Sequence, residues 1–285
     1  MHRLPHRHRS AQTRKTIRPH AGNCRIQVKV ATWNINGIAS RLEHVIKWSE
    51  TARPDVLCLQ ETKAPDAKFP VKKLQNIGYE HIAVYGERAY NGVAILSRMP
   101  LDDVVNGIPG DGDDQQRRVI AATVEDIRIV CAYFPHGRVI GHEMFYLKLD
   151  WVRRFRKYFE KYYSPDDDVV MCGDTNICPH EMDMWNVRYW APRIHFSKEE
   201  REVFGELKRW GFVDVFREFN DQPGEYTWWD TFHESSFRKN RGLRLDYMWA
   251  SQPLADRCAD CWVDKTPRGW DHPSDHAPVV ADFRV

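Results

Sequence analysis

Residues 26–61, IQVKVATWNINGIASRLEHVIKWSETARPDVLCLQE, carry the pattern that decides the fold. Apolar and polar side chains alternate over 26–30, which predicts a strand. Residues at helical spacing follow over 42–49, and Pro54 ends that predicted helix. A short apolar run at 56–59 predicts a second, buried strand. A strand, a helix and a strand in this order favour an α/β fold.

The rest of the chain continues to mix strands with helices. A long helix is predicted over 141–163, and a capping box at Ser197–Glu200 begins another that reaches Trp210. Because hairpins coexist with helical connections, we expect mixed sheets with helices outside them rather than a strict βαβ array. Further strands are predicted at 80–85, 92–97, 119–124, 127–133, 169–172, 245–250 and 279–283. The buried stripe of the long helix is predicted to be Met144, Leu147, Trp151, Phe155, Tyr158 and Tyr162, with Lys and Arg on a solvated face.

Composition excludes several classes of protein. The 285 residues are 42% hydrophobic and 29% charged, which is enough for a sizeable core. The mean hydropathy is −0.62, and no apolar run is long enough for a membrane-spanning helix. Seven cysteines are an odd number, which argues against a disulfide scaffold and for a reducing compartment.

The basic charge is concentrated at the N-terminus. Residues 1–24 hold six Arg or Lys and no acid, and we predict a disordered tail there. It could bind phosphates weakly, be a transit segment, or result from an upstream start codon. Residues 25–285 show no linker and no repeat, so we expect one domain. Because that domain carries 36 basic and 40 acidic residues, any contact with nucleic acid needs a local basic face.

Polar side chains stand where several predicted strands end. Glu61 directly follows a buried strand and could be an oxygen ligand for a divalent metal such as Mg²⁺. Asn34 and Asn36 could hydrogen-bond a carboxylate or ligate a hard cation, although such a pair is also common in ordinary turns. Asp174 and Asn176 share one side of an extended segment, where they could position a water molecule and a phosphate oxygen.

An Asp-His pair lies near the C-terminus. The carboxylate of Asp275 could fix the tautomer of His276 and favour its cationic form. Because adjacent residues of a strand point in opposite directions, Asp246 or another acid could be the partner of His276 instead. Phosphate-binding loops of the P-loop type and the Gly-x-Ser-x-Gly elbow are absent from the sequence.

Six motifs occur in one order, and together they resemble a known family. They are WNING (33–37), LQETK (59–63), YFPHG (133–137), GDTN (173–176), NRGLRLDY (240–247) and SDHAPV (274–279). This set is similar to the exodeoxyribonuclease III / AP endonuclease family of the endonuclease–exonuclease–phosphatase superfamily, and it looks closest to the bacterial exodeoxyribonucleases. The resemblance covers nearly all of residues 25–285. It implies an α/β (α+β) fold, a four-layer αββα sandwich of two mixed β-sheets flanked by helices.

The resemblance also implies an activity. Family members hydrolyse phosphodiesters with Mg²⁺, for which Mn²⁺ can substitute. They cut 5′ to abasic sites, and many act as 3′→5′ exonucleases or remove 3′ blocking groups. The implied partner is double-stranded DNA with abasic sites or 3′ ends, bound by a monomer without a membrane. The implied setting is the cytoplasm of a bacterium, close to the nucleoid, with an organelle as the alternative because of the basic tail.

Roles for single residues follow from matching the motifs. Asp174, held by Asn34, is expected to orient and deprotonate the attacking water. Asn176 and His276 are expected to donate hydrogen bonds to the phosphate, with Asp246 supporting His276. The implied metal set is Glu61, Asn36, Asp275, Asp174 and Asn176.

Substrate contacts carry over in the same way. Tyr133 is expected beside the scissile phosphate, as an orienting group or a helper of the leaving group. Trp228, Leu243 and Leu245 match the apolar pocket that accepts an abasic sugar. His136 stands where relatives usually have Gln or Asn as a phosphate contact. Further candidate phosphate contacts are Arg117, Arg118, Lys239, Arg241 and Arg244.

Two alternative functions stay open from the sequence. One is a superfamily phosphatase that acts on another phosphoester, against which NRGLRLDY and Trp228 speak. The other is a catalytically inactive DNA-binding module, which would not need the full set of carboxylates, amides and histidine.

Overall fold

The computed structural model describes residues 27–110, 116–231 and 235–285. The predicted tail at 1–24 lies outside these residues. Within the described ranges, no helix combines the length and apolar character needed to cross a lipid bilayer.

The predicted order of strands and helices is confirmed over the described residues. The strands are β1 Gln27–Asn34, β2 Val56–Gln60, β3 His81–Tyr85, β4 Val93–Ser97, β5 Asp102–Asn106, β6 Val119–Val124, β7 Ile127–Tyr133, β8 Val169–Asp174, β9 Phe212–Asp214, β10 Trp228–Trp229, β11 Gly242–Leu243, β12 Asp246–Ser251, β13 Cys258–Val263 and β14 Val279–Arg284. The α-helices are α1 Ile38–Ala52, α2 Val71–Gln75, α3 Glu143–Tyr162, α4 Val187–Trp190, α5 Lys198–Lys208, α6 Val215–Phe219, α7 Ser235–Arg238 and α8 Gln252–Ala255.

Most strands belong to two mixed sheets. The first sheet has the spatial order β13-β14-β1-β2-β4-β3, and the second has the order β5-β6-β7-β8-β12-β9. Each contains one parallel pair, β1 with β2 and β7 with β8, while its other neighbours are antiparallel. Strands β10 and β11 pair separately beside the sandwich. The β1-α1-β2 unit predicted from residues 26–61 therefore forms the centre of the first sheet.

The sheets pack face to face, and helices cover their outer surfaces. Val30 of the first sheet and Ile129 of the second belong to the buried cluster between the sheets. On the outer face of the first sheet, α1 buries Trp48. On the outer face of the second sheet, α3 and α5 bury Phe155 and Leu207. The four-layer αββα sandwich is thus confirmed, with each helix burying one apolar face against a sheet.

The predicted buried face of α3 is partly wrong. Trp151, Phe155 and Tyr158 are buried as predicted, but Tyr162 is 43% exposed. The buried face differs from the predicted one because α3 packs against α5 as well as against the sheet. Met144 and Leu147 are only partly buried. The residues of α3 that are buried without having been predicted are Phe145, Lys148, Leu149, Val152 and Phe159.

Candidate active site

Four strand ends bring polar side chains to one edge of the sandwich. Asn34 ends β1 and Asp174 ends β8, while Glu61 directly follows β2 and Asp246 begins β12. The amide nitrogen of Asn34 lies 2.9 Å from Glu61 Oε1 and 2.9 Å from Asp174 Oδ2, and it donates to both. Because Asn34 and Glu61 belong to the first sheet and Asp174 to the second, this amide connects the two sheets at the site.

Asp174 is 1% exposed and receives hydrogen bonds from several groups. The backbone N–H of Asn176 donates to Oδ1 at 2.9 Å, and the Asn176 amide lies 3.4 Å from Oδ2. Burial raises the pKa of Asp174 to about 7, although the nearby His276 and the bond from Asn34 act to lower it. A carboxylate whose pKa lies near neutrality suits a general base, because it can accept a proton from water at the working pH.

His276 lies between two carboxylates. Its Nδ1 is 2.8 Å from Asp246 Oδ2, and its Nε2 is 3.7 Å from Asp174 Oδ2. Burial lowers its pKa, but the carboxylates of Asp246 and Asp174 outweigh burial and raise the pKa of His276 to about 10. The imidazole is therefore cationic at neutral pH and can donate a hydrogen bond to a phosphate oxygen. The partner of His276 is thus Asp246, and the side chain of Asp275 contacts other residues.

A candidate cation-binding position lies next to the Asn34 amide. The ammonium of Lys63 is 2.8 Å from Glu61 Oε2 and 2.6 Å from Asn36 Oδ1. Asn36 in turn donates to Asp275 Oδ1 at 3.0 Å. Burial raises the pKa of Glu61, but the charge of Lys63 and the bond from Asn34 bring it below the ordinary value, so the carboxylate is ionised.

These oxygens fit a hard divalent cation. Glu61 Oε2 and Asn36 Oδ1 both contact the positively charged ammonium of Lys63. Carboxylate and amide oxygens are also the ligands that hard divalent cations prefer. Lys63 retains 32% side-chain exposure, which allows its ammonium to move away. Asp174, Asp246 and His276 form a second group with ligand atoms within 4.8 Å of one another. Both ring nitrogens of His276 already face carboxylates, those of Asp246 and Asp174, so we favour the Glu61–Asn36 position.

Tyr133 ends β7 and lies under the same edge. Burial raises the pKa of its phenol well above the ordinary value, and the charge of Glu61 adds to the effect, so the hydroxyl keeps its proton. The guanidinium of Arg118 lies 4.8 Å from the centre of the Tyr133 ring. Arg118 is only 6% exposed and therefore packs behind Tyr133 rather than facing solvent. Arg117, which is more exposed, contacts Asp66 and the carbonyl oxygen of Gly86.

Arg244 does not lie where a phosphate contact would have to be. Its side chain is 1% exposed, and its guanidinium forms two hydrogen bonds with Asp183 and two with Asp214. Four of its five N–H donors are thus used by these carboxylates, and its burial keeps the whole guanidinium away from the surface on which DNA would lie. The prediction that Arg244 binds phosphate is therefore wrong, and the residue instead anchors the strand that leads to Asp246.

The predicted apolar pocket is only partly open. Leu243 is fully buried and Leu245 is 2% exposed, and both pack under the surface with Met184 and Phe196. Trp228 stays accessible, and its indole N–H donates to Asp275 Oδ2 at 3.0 Å. It lines a cavity of about 270 Å³ together with Trp185, Tyr189, Trp190, Asp230, Ser235, Ser236 and Arg241.

His195 was missed by the sequence reasoning. It is 4% exposed, has a positive φ of 77°, and its Nδ1 lies 2.6 Å from the carbonyl oxygen of Asn176. The ring of His136 packs against it edge to face, with ring centres 5.1 Å apart. The predicted phosphate contact at His136 thus lies beside the turn that holds Asn176. A lone histidine in a loop without a motif gave no signal in the sequence.

A larger cavity of about 750 Å³ opens beside the cation-binding position. Asn36 and Asp275 form the side nearest the site, and Arg41 and Arg238 contribute positive charge to its walls. Lys239 and Arg241 are exposed in the segment after α7, as phosphate contacts would require. Asp230, Asp271 and Asp275 line this cavity alongside Arg41, Arg238 and Arg268, so its walls carry charges of both signs.

Comparisons with known proteins show which family and which solved structures this chain is similar to. The model of the Endonuclease/Exonuclease/phosphatase family matches residues 31–276. Exodeoxyribonuclease III of Haemophilus influenzae is 33% identical over 268 residues, which cover 90% of this chain and 100% of the relative. An AP endonuclease structure from Archaeoglobus fulgidus superposes with a TM-score of 0.88 at 36% identity, covering 90% of this chain and 100% of that chain. The 3′ phosphatase NExo from Neisseria, solved with a product DNA hairpin, gives a TM-score of 0.85 at 36% identity, covering 90% and 99%.

Proposed function

Because this chain belongs to the endonuclease/exonuclease/phosphatase family, we propose that it is a DNA-repair nuclease that hydrolyses phosphodiester bonds with a divalent metal ion. One observation carries the proposal. The amide of Asn34 holds Glu61 and Asp174 together, next to the Asp246–His276 pair. This arrangement supports the proposal because a cation, a base and a hydrogen-bond donor could act around one space.

In the proposed mechanism Asp174 accepts the proton of the attacking water, while Asn34 and the backbone of Asn176 hold its carboxylate in place. The cationic imidazole of His276 and the amide of Asn176 donate hydrogen bonds to the phosphate oxygens, on which negative charge increases in the transition state. The protonated phenol of Tyr133 orients the phosphate or assists the leaving oxygen.

Glu61 and Asn36 would hold the metal ion, with Asp275 fixing Asn36 from behind. A bound Mg²⁺ or Mn²⁺ would neutralise phosphate charge and polarise the bond to be broken. Lys63 would leave its position between the two oxygens as the ion binds. Asp174 and Asn176, which were also expected in the metal set, lie on the other side of the Asn34 amide and serve the water and the phosphate in this proposal.

The proposed substrates are abasic sites, cut on their 5′ side, and the 3′ ends of double-stranded DNA. The first is supported by likeness to an AP endonuclease. The second is supported by likeness to an exodeoxyribonuclease III and to a 3′ phosphatase bound to a DNA hairpin. The cavity beside Trp228 would receive the sugar of the reacting nucleotide, and His136 would contact a phosphate. We further propose that the protein works as a monomer in the bacterial cytoplasm, near the nucleoid.

Cleavage of matched duplex oligonucleotides tests the proposal. One duplex carries a stable abasic analogue, one is undamaged and one ends in a 3′ phosphate, and each is incubated with Mg²⁺ or with EDTA. We expect a Mg²⁺-dependent nick 5′ of the abasic site, a ladder from the 3′ end of the undamaged duplex, and release of the 3′ phosphate. If folded protein with metal left all three duplexes intact, the proposal would fail. Hydrolysis of a non-DNA phosphoester alone would favour a phosphatase.

A variant of the pocket separates the two substrates. Trp228→Ala should reduce incision at the abasic analogue more than shortening of the undamaged 3′ end, because only the base-free sugar relies on the apolar wall. Equal losses on both duplexes, measured under single-turnover conditions, would contradict the assignment of this pocket.

A further inference from the structure

Helix α3 buries a lysine within the second sheet's helical layer, close to the proposed site. Lys148 and Glu200 are both completely buried, and the Lys148 ammonium lies 2.5 Å from Glu200 Oε1. Replacing a buried ion pair with apolar residues of similar volume is often neutral or stabilising. The stability of the fold therefore does not by itself explain why a charged pair occupies this position.

The ammonium also holds two backbone carbonyl groups. Lys148 Nζ donates to the carbonyl oxygen of Asn176 at 2.7 Å and to that of His136 at 3.3 Å. These residues belong to the turns after β8 and β7, so one side chain reaches both loops that carry proposed phosphate contacts. Asn176 has a positive φ of 52°, in the left-handed region that asparagine adopts more readily than most other residues that carry a Cβ.

Glu200 connects this lysine to a rigid helix start. Its Oε2 accepts hydrogen bonds from the backbone and the hydroxyl of Ser197, at 3.0 and 2.8 Å, in the capping box of α5. Its Oε1 accepts a third bond, from the backbone N–H of His195 at 3.1 Å. The carboxylate is thus fixed from several sides, and the ammonium bound to it has a defined position.

On the basis of the proposed function, we propose that Lys148 is a positioning residue for the phosphate-binding turns. Its ammonium is fixed in position by Glu200 and binds the carbonyl oxygens of Asn176 and His136. Through these contacts it fixes the position of the Asn176 amide relative to Asp174. It touches no substrate itself. Loss of this contact would let the turn after β8 relax and move the Asn176 donor away from the phosphate.

The test compares two buried-pair variants with a matched surface pair. Lys148→Met combined with Glu200→Gln removes the ammonium without leaving a lone buried charge. Arg156→Met combined with Glu206→Gln is the control, because this half-exposed ion pair joins the same two helices away from the site. The readouts are the melting temperature, the Kd for an abasic duplex in EDTA, and the single-turnover rate with Mg²⁺.

We expect the Lys148/Glu200 double variant to stay folded and to bind DNA as the wild type does, yet to cleave about 100-fold more slowly, since small misplacements of reacting groups cost that much. The Arg156/Glu206 control should keep the wild-type rate. A folded double variant that cleaves at the wild-type rate would overturn the inference. An equal loss in the control would also overturn it, because the effect would then come from the helices in general.

A conservative variant covers the case in which the double variant does not fold. Glu200→Asp keeps the charge pair but shortens the anchor by one methylene, so it should draw the ammonium away from the Asn176 carbonyl. We expect a slower single-turnover rate with an unchanged Kd for DNA, and an unchanged rate would overturn the inference. An inactive wild-type protein would instead refute the proposed function, so the two failures are distinguishable.

Discussion

Replacing Arg244 with methionine separates its structural role from a role in DNA binding. In the protein its guanidinium forms paired hydrogen bonds with both Asp183 and Asp214, at distances from 2.7 to 3.1 Å. Asp183 is fully buried and Asp214 is 6% exposed. Arg244→Met leaves Asp183 with Arg217 alone and deprives Asp214 of its ion pair.

The size of the effect follows from this burial. Removing one partner of a buried ion pair typically costs about 3–5 kcal/mol, because the remaining charge is left without compensation. For a domain of this size, about 1 kcal/mol lowers the melting temperature by roughly 2–4 °C, so we expect a drop of roughly 6–20 °C. Lys198→Met is the control, since its pair with Glu202 is exposed and should contribute less than about 1 kcal/mol.

Thermal and urea unfolding give the stability, and a salt titration of DNA binding gives the second readout. Each phosphate contact adds about 0.9 to the slope of log K against log salt concentration. We expect Arg244→Met to keep the wild-type slope at a temperature at which it is folded. Wild-type stability together with a slope reduced by about one would refute the reasoning and make Arg244 a phosphate contact after all.

Three further predictions concern the site. Asp174→Asn should slow cleavage by about 10²–10⁴-fold, because the amide cannot accept the proton. Binding of an abasic duplex in EDTA should be retained. Cleavage at the wild-type rate would exclude Asp174 as the base. Glu61→Gln should raise the Mg²⁺ concentration needed for half-maximal cleavage by about 10-fold or more, and an unchanged metal titration would place the ion elsewhere. Because the carboxylates hold the pKa of His276 at about 10, against 6.5 ordinarily, its stabilisation of the metal-free protein is complete below pH 6.5 and is lost as the pH rises through 10. His276→Gln should reduce that loss in urea unfolding at pH 6.5 and 10, and an identical pH dependence in the variant would contradict the raised pKa.

Much of the fold could be predicted from local patterns. Alternation located β1, and the capping box at Ser197–Glu200 located the start of α5, because both signals depend on neighbouring residues only. The buried face of α3 was harder. Aromatic side chains lie on several sides of that helix, and its rotation is decided by α5, which is distant in sequence and packs against it.

Site residues could be predicted where they belong to a sequence motif. They could not be predicted where their position depends on a partner that is distant in sequence. The motifs indicated Asp246 as a partner of His276, whereas nothing local distinguishes Arg244 from a surface arginine. Lys148 lies among the residues predicted to be solvated, and its burial depends on Glu200, 52 positions further along the chain. A charged residue is buried only when a partner compensates it, and such partners are set by the fold rather than by spacing.

The amide of Asn34 has a consequence for how the protein would respond to strain. Its bond to Glu61 stays within the first sheet, whereas its bond to Asp174 joins the two sheets. The second bond breaks if one sheet slides past the other by about an ångström, a distance that takes a hydrogen bond beyond its working range. Such a slip need not expose the core. Enlarged side chains between the layers, far from the reacting groups, should therefore reduce turnover before they reduce the melting temperature. In a mutational scan of the interior, the catalytic rate would be more sensitive to the alignment of the two sheets than the melting temperature.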